Sequence, residues 1–387
     1  MTYPDTNPDS SERKLSFTRT LTIIIMVFTA VLIISLVLLY FVARHEKSLA
    51  GAEQHIKLSA QGGFSCEYSE AQKLYPYGDG VMKVTGERIA YITLSGNEIY
   101  SVGINYQNPA CISNSEYCLV YDLNGYSFSL LNKEGSIYSA PTTNQIKSGT
   151  ISNDGFVAII TSDEQSYGNL FVFDSAGNTI SQWTSNNSGY PLAASFNGNS
   201  SKVAVTTVNT TGAAAVPYIR IFDILKTDLG LTMQDNSFYT TNTNDVISTC
   251  FFIDDSLYAF SSSKLFKVTG DKLTAVDLDF QLADYSLLVG DHIFLVYSEG
   301  VEQINKLAVI NHNDKIVYSS DIGSKVNCVC GGNGVFAISV DDRIFVYNES
   351  GSVIGDVSVD QDILRMGFIS GKDLCVVSTG GVHTINY

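Results

Sequence analysis

Acidic pairs are the first residues of this chain whose types and spacing would support chemistry: Asp254-Asp255, Asp341-Asp342, and Asp277 with Asp279. Paired carboxylates serve glycoside hydrolysis or Ca²⁺ binding. Two of these pairs stand between runs of β-branched and aromatic residues, where Asp favours a turn by bonding its own backbone. None fits a calcium-loop pattern, so all three read as turn or surface acids. The five histidines, His45, His55, His292, His312 and His383, are isolated from one another in the sequence. No Cys/His spacing matches a zinc site, and no Gly-x-Ser-x-Gly elbow, His-Glu-x-x-His, P-loop or dinucleotide fingerprint occurs. No catalytic residue, metal site or cofactor is therefore expected.

The seven cysteines are odd in number and scattered, unlike the framework of a small disulfide-rich secreted domain. Cys111 and Cys118 flank a candidate turn, Ile112 to Tyr117, and are the one pair placed to face each other across a hairpin, a candidate disulfide. Cys328 and Cys330 share one face of a single strand, a poor geometry for bridging. Cys66, Cys250 and Cys375 read as small buried apolar residues.

The elements around these residues are β-strands. Apolar residues make up 45% of the 387, with 22 Tyr and 20 Phe, and Val, Ile, Thr and aromatics suit a pleated surface. From Tyr68 onward, short runs of such residues are bounded by Gly, Asn, Asp and Ser, with no sustained helical period. The clearest unit runs from Gly149 to Trp183 as four short strands. Two turn signatures alternate in it and recur along the chain. One resembles Ser152-Asn153-Asp154-Gly155 before a buried strand; the other resembles Phe171-Val172-Phe173-Asp174-Ser175-Ala176-Gly177, with Phe345-Val346-Tyr347-Asn348-Glu349-Ser350-Gly351 as a second clear copy. Phe222-Asp223 reads as a degenerate copy of the latter. The spacing is that of a four-stranded propeller blade.

The sequence thus predicts an all-β fold, a β-propeller of four-stranded antiparallel blades. Eight units are expected, near 70–106, 108–144, 146–187, 189–242, 244–280, 281–321, 323–360 and 361–387, with seven blades as the alternative. The last unit holds only three strands. Its missing outer strand is expected from Ile56 to Tyr68, which would clasp the ring and cover a sheet edge.

Upstream, the run from Leu21 to Ala43 carries no charge and is long enough to cross about 30 Å of hydrocarbon as a helix. It exceeds a signal-peptide core, and Tyr40, Phe41 and Arg44 stand where a small-residue cleavage box would be, so it reads as an uncleaved signal anchor. Arg13, Lys14 and Arg19 precede it and Arg44 and Lys47 follow, which favours a cytoplasmic N-terminus. The expected organisation is a cytoplasmic tail over 1–20, the membrane helix over 21–43, a stalk over 44–59 and an extracytoplasmic propeller over 60–387.

The formal net charge is −16. Residues 1–50 hold five Lys/Arg against four Asp/Glu, which leaves 18 and 35 for the remainder. Such an acidic surface repels phosphate backbones, so nucleic-acid binding is excluded as an expectation.

The single span, the entry Leu74-Tyr75-Pro76-Tyr77-Gly78-Asp79-Gly80-Val81, and the repeated Asn-Glu-Ser-Gly and Asp-Ser-Ala-Gly turns resemble a group of membrane-anchored propeller proteins from Gram-positive bacteria. That group carries a domain of unknown function, related at fold level to pyrroloquinoline-quinone-like propellers. The resemblance implies fold and anchoring, and it carries over no catalytic residue. Trp183 is the only tryptophan, so the repeated tryptophan docking of quinone-dependent dehydrogenases is ruled out.

Loops on a rigid scaffold are where binding residues gather. In an up-and-down blade the second connection and the crossover to the next blade share one rim. Ser162 to Gly168, Asn209 to Pro217 and Ser298 to Asn305 read as long second connections, and Tyr138 to Lys147, Ser185 to Pro191 and Met233 to Asn244 as crossovers. Asp163, Glu164, Tyr167, Tyr190, Phe238 and Tyr239 are the candidate contacts on this rim. The expected function is a membrane-anchored binding or scaffolding module with a protein, peptide or cell-wall glycan partner. The alternative is a cell-surface hydrolase or lyase using acidic residues in the propeller channel.

Overall fold

The computed structural model describes residues 26, 29, 32–35, 56–57, 60–67, 69–70, 72–241, 243–278, 282–290, 292–298, 306–311, 313–332, 334–369 and 373–387. Two compact units separate at Gln54/His55. In the first, the described residues 26, 29 and 32–35 are helical and solvent-exposed, and Thr29 Oγ1 donates to the Met26 carbonyl at 2.9 Å. Most of the expected membrane helix, the tail and most of the stalk lie outside the described residues. Among those described, no helix is long and apolar enough to cross a membrane.

The second unit is a propeller of eight blades. Blade 1 is Gln72–Tyr77, Gly80–Thr85, Arg88–Thr93 and Glu98–Gly103. Blade 2 is Pro109–Ser113, Cys118–Asp122, Ser127–Asn132 and Gly135–Pro141. Blade 3 is Ile146–Ile151, Val157–Thr161, Asn169–Phe173 and Thr179–Thr184. Blade 4 is Tyr190–Phe196, Lys202–Asn209, Val216–Thr227 and Gly230–Thr240. Blade 5 is Thr249–Ile253, Ser256–Phe260, Lys264–Thr269 and Lys272–Asp277. Blade 6 is Leu282–Val289, His292–Ser298, Lys306–Ile310 and Ile316–Asp321. Blade 7 is Val326–Gly332, Val335–Val340, Arg343–Asn348 and Val353–Ser358, and blade 8 is Ile363–Phe368, Asp373–Ser378 and Gly381–Asn386.

Blade 8 gains its fourth strand from upstream. Ala60–Ser65 pairs antiparallel with Gly381–Asn386, so the outer edge of the last blade is covered, as expected from the three-strand count. Just before it, Ile56–Lys57 lies parallel to Val353–Ser358 and makes a fifth strand on blade 7. The incoming chain therefore crosses two blades, a detail that the turn signatures gave no means of reading.

Burial follows position in the blade. Second and third strands are covered on both faces, as in Val157–Thr161, while outermost strands such as Glu98–Gly103 alternate with solvent. Eight clusters of buried side chains occupy the eight blade-to-blade seams. The closing seam holds Leu74, Val81 and Ala90 of blade 1 against Cys375, Val377 and Val382 of blade 8, with Phe64 packed beside them. First strands pack on the first strands of neighbouring blades and so surround the axis.

The repeated turns have a common chemistry. Asp174 Oδ1 accepts the backbone N–H of Ala176 at 3.0 Å and of Asn178 at 2.8 Å; Asn348 Oδ1 does the same for Ser350 and Ser352, each at 3.0 Å. The glycine inside each turn takes positive φ, +87° at Gly177 and +84° at Gly351. Asp254 and Asp341 both sit at φ +52° in two-residue turns, which accounts for two of the acidic pairs without chemistry. Asp277 of the third pair lies on an outermost strand and is ion-paired with Lys264.

Blade 4 corrects the sequence reading. Phe222-Asp223 is not a turn but the middle of Val216–Thr227, and Met233 to Asn244 is not a crossover but mostly the outermost strand Gly230–Thr240. The strand alternation simply continues, and the reversal comes at Asp228-Leu229, with Gly230 at φ +119°. The resulting ribbon extends from the rim of first and third connections and carries the fully exposed Leu229, so that rim is not uniformly plain. Tyr138 likewise lies in the strand Gly135–Pro141, and the following crossover shrinks to 142–145. Of the expected loop from Ser298 to Asn305, residues 299–305 lie outside the described ones.

Candidate functional site

Between blades 3 and 4 the second-connection rim is raised by the loops 162–168, 185–189 and 210–215. The first two are pinned to neighbouring loops and strand ends. Ser162 N–H donates to the Gln145 carbonyl at 2.9 Å, Tyr167 N–H to the Ser185 carbonyl at 3.0 Å, and Ser185 N–H to the Gly168 carbonyl at 2.9 Å. Thr207 Oγ1 donates to the Ser188 carbonyl at 2.6 Å and Asn209 Nδ2 to the Asn187 carbonyl at 3.1 Å. Gly189, at φ +80°, passes so close to blade 4 that a Cβ there would lie 2.1 Å from the Val208 carbonyl oxygen.

This pinning brings Tyr167 and Tyr190 together. Their rings meet edge to face, 5.1 Å between centroids at 83°, and Tyr190 remains 49% exposed. Asp163 stands at the base of the same loop, where Oδ2 accepts the Ser166 hydroxyl at 2.7 Å and Oδ1 the Gln165 N–H at 3.2 Å. The Ser166 hydrogen bond, with the Gln165 N–H second, holds the Asp163 carboxyl below its ordinary value. Glu164 is exposed beside it. The result is an aromatic pair flanked by acids and amides, suited to stacking and hydrogen bonding rather than to nucleophilic attack or proton transfer.

The remaining two candidates do not join this group. Phe238 lies on the outermost strand of blade 4, stacked on Tyr218 at 5.0 Å, with the Arg220 guanidinium 4.6 Å over its ring. That guanidinium also lies 5.5 Å over Trp183 and is ion-paired with Asp235. Tyr239 points the other way, packing on the seam with blade 5 and donating from its hydroxyl to the Gly270 carbonyl at 3.2 Å. Sequence reasoning missed this cation–aromatic wall. Its signal was the alternation Tyr218, Arg220, Phe222, which places three side chains on one face of one strand.

Cys111 and Cys118 do face each other across a hairpin, as free thiols with Sγ atoms 3.2 Å apart. The Cys111 contact, followed by burial, pushes the Cys118 thiol well above its usual range. Among the described residues no group of three or more His, Cys, Asp or Glu is placed to hold a metal ion. The eight first strands contain one carboxylate in all, Asp284, against three cations, Lys73, Lys147 and Arg365.

The fold has counterparts among known proteins. A family model described as a family of unknown function (DUF5711) matches residues 54–386. No curated protein matches. Among solved structures, BamB from Moraxella catarrhalis is similar with a TM-score of 0.56 at 14% identity, over 85% of this chain and 100% of that one. Sqt1 from Chaetomium thermophilum gives 0.58 at 9% identity, over 85% and 98%, and AztD from Citrobacter koseri 0.53 at 9%, over 75% and 86%. At these identities the likeness is one of fold.

Proposed function

The chain belongs to this DUF5711 family of unknown function, and we propose that it is a membrane-anchored, extracytoplasmic binding or scaffolding module. The partner in this reading is a protein, peptide or cell-wall glycan that meets the rim at blades 3 and 4. The observation that carries it is the Tyr167–Tyr190 pair, in which Tyr190 is exposed, Tyr167 N–H is fixed on the Ser185 carbonyl, and Tyr190 sits opposite Val208 in the blade 4 ladder. A contact surface that is already ordered loses little entropy on binding. The uncharged run from Leu21 to Ala43 supports a single-pass anchor, and the basic excess before it supports a cytoplasmic N-terminus with the propeller outside.

Hydrolase or lyase chemistry in the channel draws no support from the first strands, since one carboxylate cannot supply an acid and base pair. Two experiments test the proposal. Protease added to intact cells should digest the propeller, and full protection would reverse the orientation. Replacing Tyr167 and Tyr190 together with Ser should abolish partner crosslinking in native cells while the melting temperature holds; an unchanged crosslinking pattern would refute the rim assignment.

A further inference from the structure

Arg365 differs from the other arginines of the propeller. Arg88, Arg220 and Arg343 each meet an acid on the fourth strand of their own blade, Glu98, Asp235 and Asp356 respectively. Arg365 lies instead on the first strand of blade 8. Its guanidinium rests 4.5 Å over the ring of Tyr75, on the first strand of blade 1. Among the described residues nothing accepts a hydrogen bond from it and no carboxylate pairs with it. An arginine carries five N–H donors in a fixed fork, so a partly buried one without acceptors is poised for a ligand or water.

A cavity of about 360 Å³ opens at this seam, lined by Arg365, Lys73, Gln72 and Ser378, with Glu67 and Glu70 also on its wall. Lys73 Nζ spends one donor on the Pro109 carbonyl at 3.2 Å and keeps two. Lys73 and Arg365 are partly buried, whereas Glu67 and Glu70 are exposed. The cavity therefore has a cationic interior and an anionic mouth. The fork of a guanidinium matches the two oxygens of a carboxylate or a phosphate. The acids at the mouth discriminate between them: they repel a phosphate dianion and attract a ligand that brings its own positive end.

We propose that this cavity binds a small zwitterion of the amino-acid or short-peptide class, its carboxylate held by Arg365 and Lys73 and its ammonium group turned toward Glu67 and Glu70. The volume suits a ligand of one or two residues. The site is separate from the tyrosine pair of blades 3 and 4, so either assignment can fail without the other.

The test is calorimetric titration of the full-length chain in detergent with alanyl-alanine, N-acetyl-alanyl-alanine, alanyl-alanine amide and inorganic phosphate. Alanyl-alanine should bind, the amide should not, and the acetylated acid should bind more weakly. Arg365→Gln should weaken alanyl-alanine by roughly ten-fold or more, the loss typical of a charge-assisted hydrogen-bonded contact. The double substitution Glu67→Gln, Glu70→Gln should narrow the gap between the free and the acetylated dipeptide. Lys73→Met, with its melting temperature measured alongside, provides a second loss-of-binding variant should Arg365→Gln not fold. Phosphate binding in preference to the dipeptide, equal affinity for the free and acetylated forms, or no binding at millimolar concentration would each overturn the proposal.

Discussion

Phe64 occupies the place beside Gly96 that a side chain would need: a Cβ added at Gly96 would lie 3.2 Å from Phe64 Cβ. Phe64 belongs to the outermost strand of blade 8, and Gly96 to the third turn of blade 1. The same relation recurs around the ring. A Cβ on Gly177 would lie 2.8 Å from the Tyr138 ring, and one on Gly351 would lie 2.5 Å from that of Tyr318. In two other blades a tyrosine hydroxyl reaches the next blade's turn instead, Tyr100 to the Asn132 carbonyl at 2.5 Å and Tyr239 to that of Gly270. At five of the eight seams an aromatic near the blade's outer edge docks on the following blade's turn, and the strand from upstream of blade 1 supplies one of the five.

Gly177→Ala should therefore destabilise the propeller by about 1–3 kcal/mol, through both positive φ and the clash with Tyr138. Gly198→Ala, where nothing lies within 4 Å and φ is not positive, should change stability by no more than about 0.5 kcal/mol. Urea denaturation measures both. Equal effects would mean that the aromatic seat contributes nothing.

Removing residues 1–65 should expose the edge of Gly381–Asn386 and produce association, while removing only 1–54 should leave a monomer. Light scattering after size exclusion separates the two. A monomeric, equally stable shorter chain would show that the ring closes without its upstream strand.

Much of this arrangement was legible in the sequence. The Asp174 and Asn348 turns announce themselves because one side-chain oxygen must accept two backbone donors before a glycine, and the three-strand last unit demanded an outside strand. Blade 4 was not legible, and the reason is local. Asp223 looks like Asp174, yet its carboxylate accepts Asn236 Nδ2 at 2.6 Å across a ribbon that simply continues. An acid after an aromatic strand serves either purpose, and only the partner strand decides. Phe238 and Tyr239 consequently read as loop residues although they belong to a strand, whereas Tyr167 of a loop and Tyr190 at a strand start do meet as neighbours. Arg365 was invisible because a lone arginine in a strand says nothing about which acids it lacks.

At the entry turn of blade 1, Tyr91 Oη donates to Asp79 Oδ1 at 2.5 Å, and this bond is the main cause holding the Asp79 carboxyl below its ordinary value. A carboxyl whose folded pKa is depressed stabilises the fold fully above its unfolded pKa of about 4 and loses that contribution as pH falls through the folded value. Tyr91→Phe should raise the Asp79 titration midpoint and reduce that acid-side dependence, the Lys133 charge and a backbone hydrogen bond still holding it down. An unshifted midpoint by NMR would assign the depression to another group.

Burial pushes the Cys250 and Cys375 thiols up to about 12. At pH 8 both should resist iodoacetamide in the folded chain and react on denaturation. Mass-spectrometric mapping of the alkylated sites decides, and rapid labelling of either in the native state would mean that its seam opens.

The most direct test of the account places a photo-crosslinking amino acid at position 190 or at position 229 and irradiates the native cells. Tyr190 stands on the rim assigned to binding, and Leu229 is fully exposed on the opposite ribbon. A discrete adduct from 190 with none from 229 is the predicted result. An adduct from 229 alone, or the same adducts from both, would contradict it.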